Sequence, residues 1–282
     1  DKDKLGKNIA LSKYIKKYVG AHDMLNNSER YCLWLVDTPP NELKSFTEIR
    51  DRLDNVRKIR LESPTPSVKK NSDKPYLFTQ IRQPKTNYLV VPETSSVNRK
   101  YIPIAYLDAS IIASNSLQII CSDSLYLFGI IQSQMHNVWA KRLCGKLKSD
   151  IRYTPTLYHS FPFPENPSDK QIQAIEAAAQ AVLDARAEFL FPSSGGVSEG
   201  RGGSSSVSEG RGGCSLADLY DPLTMPPVLV KAHNALDKAV DSAYRAQPFA
   251  GSAKRMEFLF DLYEKYTAGL FVKEGKTKAK KK

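Results

Sequence analysis

The stretch FPFPENPSDKQ, residues 161–171, separates two kinds of sequence. Before it, strand-like runs alternate with turns: YCLWLV (31–36), YLFTQI (76–81), NYLVVP (87–92), KYIPIAY (100–106) and LQIIC (117–121). Each is rich in Tyr, Val, Ile or Leu and bounded by Pro, Asn, Asp or Ser, the signature of short strands. Two helices interrupt them. One follows Pro39 and Pro40, with Phe46, Ile49, Leu53, Val56 and Ile59 on one face. The other runs from Leu125 to Leu143, with Leu127, Ile131, Met135, Val138 and Arg142 on one side and Gly145 where a C-cap belongs. After the divide the pattern is helix only. Ser168 and Gln171 form a capping box, and Ile172, Ile175, Ala179, Val182 and Phe189 make an apolar stripe. Leu229, Ala232, Leu236, Ala239 and Ala243 mark a second such helix, and Met256, Leu259, Tyr263 and Tyr266 a third. Stripes of this kind usually pack helix against helix. The expected fold is α+β: a mixed, mostly antiparallel sheet with helices over residues 1–165, then a helical region over residues 166–282.

Between the helical stripes, the heptapeptide VSEGRGG at Val197–Gly203 recurs unchanged at Val207–Gly213. Gly and Ser at this density bury too little apolar surface to offset the entropy of ordering, so residues 193–214 read as a flexible linker. Each Arg-Gly-Gly triplet brings a glutamate, Glu199 or Glu209, that cancels its arginine.

With 282 residues, 41% hydrophobic and 25% charged, the composition is that of an ordinary globular chain. The formal net charge of +11 favours a polyanionic partner. Residues 273–282, KEGKTKAKKK, supply five of those charges and suit a solvated basic tail. Cys32, Cys121, Cys144 and Cys214 are too scattered for a zinc site or a disulfide framework, which suggests a reducing, cytoplasmic setting. No stretch reaches the length of a membrane span, and the start DKDKLGKNIA lacks a signal-peptide core. The chain does not begin with Met, which suggests a piece of a longer polypeptide.

Catalytic motifs are missing. His22, His136, His159 and His233 fall in no metal-ligand spacing, and no phosphate loop, dinucleotide fingerprint or nucleophile elbow occurs. A hydrolase with a dispersed triad has no local support, and a helical protein-interaction scaffold with a non-specific basic surface is the principal alternative to nucleic-acid recognition. GKLKSDIRYTP, residues 145–155, is more informative. In an extended chain Lys148, Asp150 and Arg152 would share one face. Guanine offers two major-groove acceptors that suit Lys or Arg, and its cytosine partner offers an amine that suits Asp or Glu. The same spacing also suits a surface strand with lateral ion pairs.

Several long segments carry a resemblance: NNSERYCLWLVD (26–37), LFTQIRQPKTNYLVVPETSSVNRKYIPIAYLD (77–108), IIASNSLQII (111–120), CGKLKSDIRYTP (144–155), FPFPENPSDKQ (161–171) and SLADLYDPLTMPPVLVKAH (215–233). In order and over roughly residues 18–270, the chain resembles the C-terminal part of Type IIL, MmeI-like restriction–modification enzymes. The resemblance implies a module that recognises double-stranded DNA and has no catalytic residue of its own. It further implies a methyltransferase domain on the same polypeptide, with S-adenosylmethionine and magnesium serving the parent enzyme outside this fragment. By the same resemblance, Lys148, Asp150 and Arg152 read bases, as do Glu93 in VPETSS and Asn115 and Ser116 in ASNS. Arg82, Arg99, Lys100, Lys141, Arg142 and Lys146 are the expected phosphate contacts.

Overall fold

The structure, a computed structural model, describes residues 2–148, 150–190 and 213–271. The tail at 273–282 and all but the end of the Gly/Ser segment lie outside the described residues. The described strands, in chain order, are β1 Ile15–Val19, β2 Tyr31–Leu33, β3 Tyr88–Pro92, β4 Thr94–Ser95, β5 Ala105–Leu107, β6 Ile112–Ala113, β7 Leu117–Ile120, β8 Gly145–Leu147 and β9 Asp150–Arg152. They form three small sheets, ordered β2-β1-β6, β5-β3-β7 and β4-β9-β8. Only β1 with β6 is parallel, so the arrangement is mixed and mostly antiparallel, as the sequence suggested. The longer helices are α1 Arg50–Glu62, α2 Leu125–Gln132, α3 Gln134–Leu143, α4 Asp169–Leu190, α5 Pro227–Tyr244 and α6 Ser252–Phe271.

β3 is the central strand of its sheet. Tyr88, Leu89, Val90 and Val91 are all fully buried, so the run is apolar on both faces and does not alternate. Its register sets Val90 opposite Ala105 on one side and Ile119 on the other. The anticipated strand at 100–106 shortens to Ala105–Leu107, because Pro103 has no N–H to give a ladder. The anticipated strand at 76–81 does not form. Arg60 donates to the carbonyls of Asn71 and Lys74 in the preceding turn and of Leu77 at 2.6–2.9 Å, so at Leu77 a side chain takes the place of a neighbouring strand.

The first predicted helix breaks into a short turn of helix at Pro40–Ser45, a 3-10 turn at Thr47–Ile49, and α1. Phe46 and Ile49 are buried in a small N-terminal core with Leu5, Leu11 and Leu35, while Ile59 at the far end is 67% exposed. The helix predicted over 125–143 also breaks, at Ser133, whose backbone is extended. Tertiary partners replace the missing helical bonds there. Gln134 N–H donates to Asp237 (2.8 Å), and the fully buried Asn137 amide donates to the Ser133 carbonyl (2.7 Å) and accepts from Ile102 N–H (2.7 Å). Gly145 does not cap the helix: Cys144 ends it in extended conformation and Gly145 opens β8.

The capping box at Ser168 and Gln171 forms, with Ser168 N–H donating to the Gln171 side chain at 2.9 Å. From there α4 runs across α2 and α5, and α6 lies on α3. Ile175, Ala179 and Val182 of α4 and Leu229, Leu236 and Val240 of α5 join the strand residues in one continuous core. Arg186 of α4 is 3% exposed and donates to the Ile104 carbonyl (2.7 Å), the Gln132 side chain (2.9 Å) and, through two nitrogens, the Tyr220 hydroxyl. Because that oxygen already accepts from Arg186, its hydrogen is free to point to His233 Nε2, 2.8 Å away. Burial, with Arg186 nearby, holds the His233 pKa well below the ordinary histidine value and keeps it neutral. The His233 ring stacks on Tyr101 at 4.0 Å, and Tyr101 donates to Asp237 at 2.7 Å.

Gly129 sits where α2 meets α4. A β-carbon there would lie 2.7 Å from Ile175 Cγ2 and 3.3 Å from Leu236 Cδ1. Gly129→Leu should therefore wedge α4 and α5 away from α2 and cost about 1–3 kcal/mol or more. The measurement is thermal unfolding, and an unchanged midpoint would contradict the close packing.

Candidate nucleic-acid interface

β3 ends at Pro92 and β4 begins at Thr94, so Glu93 is the residue through which the chain passes from one sheet to the next. Its N–H donates to the Ser116 carbonyl (2.8 Å) and its carbonyl accepts from Tyr153 N–H (2.7 Å). The backbone of Glu93 thus joins residues flanking β7 and β9. Its side chain is left at the surface, where the carboxylate takes Nε and Nη2 of Arg152 on one oxygen at 3.1 Å.

Arg152 lies on β9, opposite Thr94 and Gly145. Ile151 is 3% exposed and enters the core, which turns Asp150 and Arg152 to the opposite, outer face. Lys148 departs from the expected three-residue face. It is in the two-residue loop between β8 and β9, where Leu147 pairs with Asp150, and its φ is +57°. Two-residue hairpin loops select left-handed backbone because it matches the strand twist. Lys148 is therefore an exposed tip residue beside the Asp150–Arg152 face.

Among Ser114, Asn115 and Ser116, only Asn115 is exposed. The Ser114 and Ser116 hydroxyls are 2.7 Å apart, and Ser116 Oγ accepts from Ala21 N–H at 2.9 Å. The Ser116 hydroxyl thus holds the start of the short helix Ala21–Asn26. Asn115 borders an open depression of about 330 Å³ walled by Tyr18, Trp34 and Phe78, with Arg82 and Gln80 at its edge.

The expected phosphate contacts divide. Arg82 and Arg142 are exposed. Lys100 is exposed but leans on Tyr101, 5.1 Å from the ring centre, with Nζ 3.5 Å from Asn234 of α5. Lys141 donates to the carbonyl of the half-buried Arg99 at 2.5 Å, and burial lowers its pKa. Its ammonium is thereby engaged within the protein. Lys146 has its backbone in β8, and its side chain lies outside the described residues.

Two side chains beside this surface went unnoticed in the sequence, Asp23 and Arg30. Asp23 is third in the helix that follows Gly20, and the Gly20 N–H donates to it at 2.7 Å. The glycine-to-aspartate step of a capping box is the one signal that would have found it. Burial pushes the Asp23 pKa up, but hydrogen bonds from Arg30, Ser28 and Gly20 outweigh it and bring it down to about 2.

The sequence model of the MmeI target recognition domain matches residues 1–165, and that of the MmeI C-terminal domain matches residues 206–271. The chain belongs to the MmeI family, as a DNA target recognition domain followed by the family's C-terminal domain. It is similar to "DNA methyltransferase A" of Bacillus subtilis (strain 168), 36% identical over 267 residues, which are 94% of this chain and 28% of that protein. It is also similar to the solved structure of the Type IIL restriction–modification enzyme MmeI in complex with DNA, with a TM-score of 0.83 and 37% identity. That match covers 95% of this chain and 33% of the other, so the chain spans a third or less of the length of these relatives.

Asp23 gives this region a pH signature. Its folded pKa of about 2 lies below its ordinary 3.8, so its stabilisation is full above about pH 4 and is lost as pH falls toward 2. Asp23→Asn should make stability lower near neutrality and flatter between pH 4 and pH 2. Chemical denaturation across that range checks this, and parallel curves for the two proteins would refute it.

Proposed function

We propose that the exposed edge built from Glu93, Asn115, Asp150, Arg152 and the tip residue Lys148 reads base pairs in the major groove. The observation that carries the proposal is the placement of Glu93: its backbone stitches two sheets while its carboxylate orients Arg152 outward. Side chains held this way lose little further freedom on binding. Their chemistry is complementary to base edges. Lys148 and Arg152 supply donors for guanine O6 and N7, Asp150 and Glu93 accept from the cytosine amine, and Asn115 offers the donor and acceptor pair that suits adenine. Ser116 contributes through its carbonyl and through the helix start it anchors. Of the expected phosphate contacts, Arg82 and Arg142 are exposed and best fit this reading, while Lys141 donates to the Arg99 main-chain carbonyl, Lys100 leans on α5, and the Lys146 side chain lies outside the described residues.

In the complete polypeptide the module would hold a methyltransferase domain over an adenine that is turned out of the duplex for modification. S-adenosylmethionine, and magnesium for any cleavage, would bind elsewhere on that polypeptide. Among the described residues no group of three His, Cys, Asp or Glu side chains is placed to hold a metal ion. Cytoplasmic action on the cell's own DNA follows from the substrate. Among the described residues no helix is long and apolar enough to cross a membrane. The protein-scaffold alternative loses the support of the α4 and α5 stripes, whose residues are largely spent on the shared core, while Tyr263 of the α6 stripe is exposed.

The test is to express the complete gene that encodes this chain, map modified adenines, and repeat with Lys148→Glu combined with Asp150→Arg. One G·C position of the target should change to C·G while the others stand. An unchanged target would reduce Lys148 and Asp150 to surface charges. In binding assays Arg82→Ala and Arg142→Ala should each weaken binding alike on all sequences and reduce the salt slope by about one. A sequence-dependent loss would contradict their assignment to phosphates.

A further inference from the structure

Arg30 lies between the short helix Ala21–Asn26 and β2. Asp23, whose side chain is only 3% exposed, accepts its Nε at 2.9 Å on both oxygens and its Nη2 on Oδ2. The same carboxylate also accepts from the Ser28 hydroxyl and from Gly20 N–H, each at 2.7 Å. It is fixed from several sides and fixes Arg30 in turn. The guanidinium lies over the Tyr18 ring, 5.2 Å from its centre. Together these contacts leave the arginine one orientation.

That orientation uses two of the five N–H donors. Nη1 and the outer hydrogen of Nη2 have no described partner, and the side chain is 53% exposed. The free edge emerges beside the proposed reading surface. A β-carbon on Gly20 would lie 2.8 Å from Arg30 Nη2 and 3.0 Å from Ser116 Oγ, so Arg30 and Ser116 are close neighbours across a glycine. Ser116 follows Asn115 in the chain and its carbonyl holds the Glu93 N–H, while Tyr18 and Asn115 border the same depression.

We propose that Arg30 is a further base-reading side chain, donating two parallel hydrogen bonds to O6 and N7 of a guanine; this rests on the DNA-reading surface proposed above. Charge decides between base and phosphate. A phosphate contact draws on net positive charge, and here a buried carboxylate neutralises the guanidinium at close range. What survives neutralisation is a rigid pair of donors, and rigid paired donors match the guanine edge.

The experiment maps modified adenines made by the complete gene carrying Arg30→Ala, Arg30→Lys or Asp23→Asn, with Arg152→Ala as a control. Arg30→Lys keeps a cation for Asp23 and so guards against simple misfolding, but it lacks the fork. The expected result is a loss of about tenfold or more in discrimination at one G·C position, the same position for all three variants, with the others unchanged. Lower modification on an unchanged target would leave Arg30 a purely structural role and overturn the proposal. Uniform weakening on every sequence with a smaller salt slope would make it a phosphate contact and overturn it equally. If Arg152→Ala shifts its own position while the Arg30 variants shift none, the inference about Arg30 fails alone; if neither shifts any, the reading surface fails with it.

Discussion

Arg186 is a buried cation whose described hydrogen bonds all go to neutral oxygens. An arginine does not shed its proton in a protein, and an unmet buried charge costs several kcal/mol. Each oxygen around it must therefore stay in place: Ile104 before β5, Gln132 at the end of α2, Tyr220 after the Gly/Ser segment. The Phe128 and Tyr220 rings, 5.3 and 4.9 Å from the guanidinium carbon, close over it. Through Tyr220 the requirement passes to His233, and from there by ring stacking to Tyr101 and Asp237. This requirement acts together with the apolar core to bind the strands that carry the proposed reading edge to the helices that follow residue 165.

What the sequence disclosed was the local part of this. The apolar run of β3, the stripes of α4, α5 and α6 and the capping box at Ser168 depend on near neighbours, and they are where periodicity put them. The departures come where a distant group intervenes. Arg60 takes the Leu77 carbonyl, which a strand at 76–81 would have offered a partner, and Asp237 with Asn137 makes the break at Ser133 tolerable. Neither exchange leaves a trace in the periodicity, because each is made by a polar side chain reaching a backbone group outside its own element, across 103 residues in the case of Gln134 and Asp237.

The proposed reading edge was legible to a similar degree. Residue chemistry and family resemblance selected Glu93, Asn115, Asp150 and Arg152, but only the backbone shows Ser116 turned inward and Lys148 at a hairpin tip. Asp23 carried only the capping-box signal and Arg30 none: each is an ordinary charged residue whose meaning lies in the bonds between them and in a glycine that leaves them room.

Glu93 gives its main chain to the fold and its carboxylate to the surface, and Lys148 and Asn115 likewise sit where the backbone is held by other residues. Amide groups are the same whatever side chain they carry. Exchanges among non-proline side chains at these positions leave the backbone bonds in place, so on the proposed reading the target would change while the strand pairing is kept.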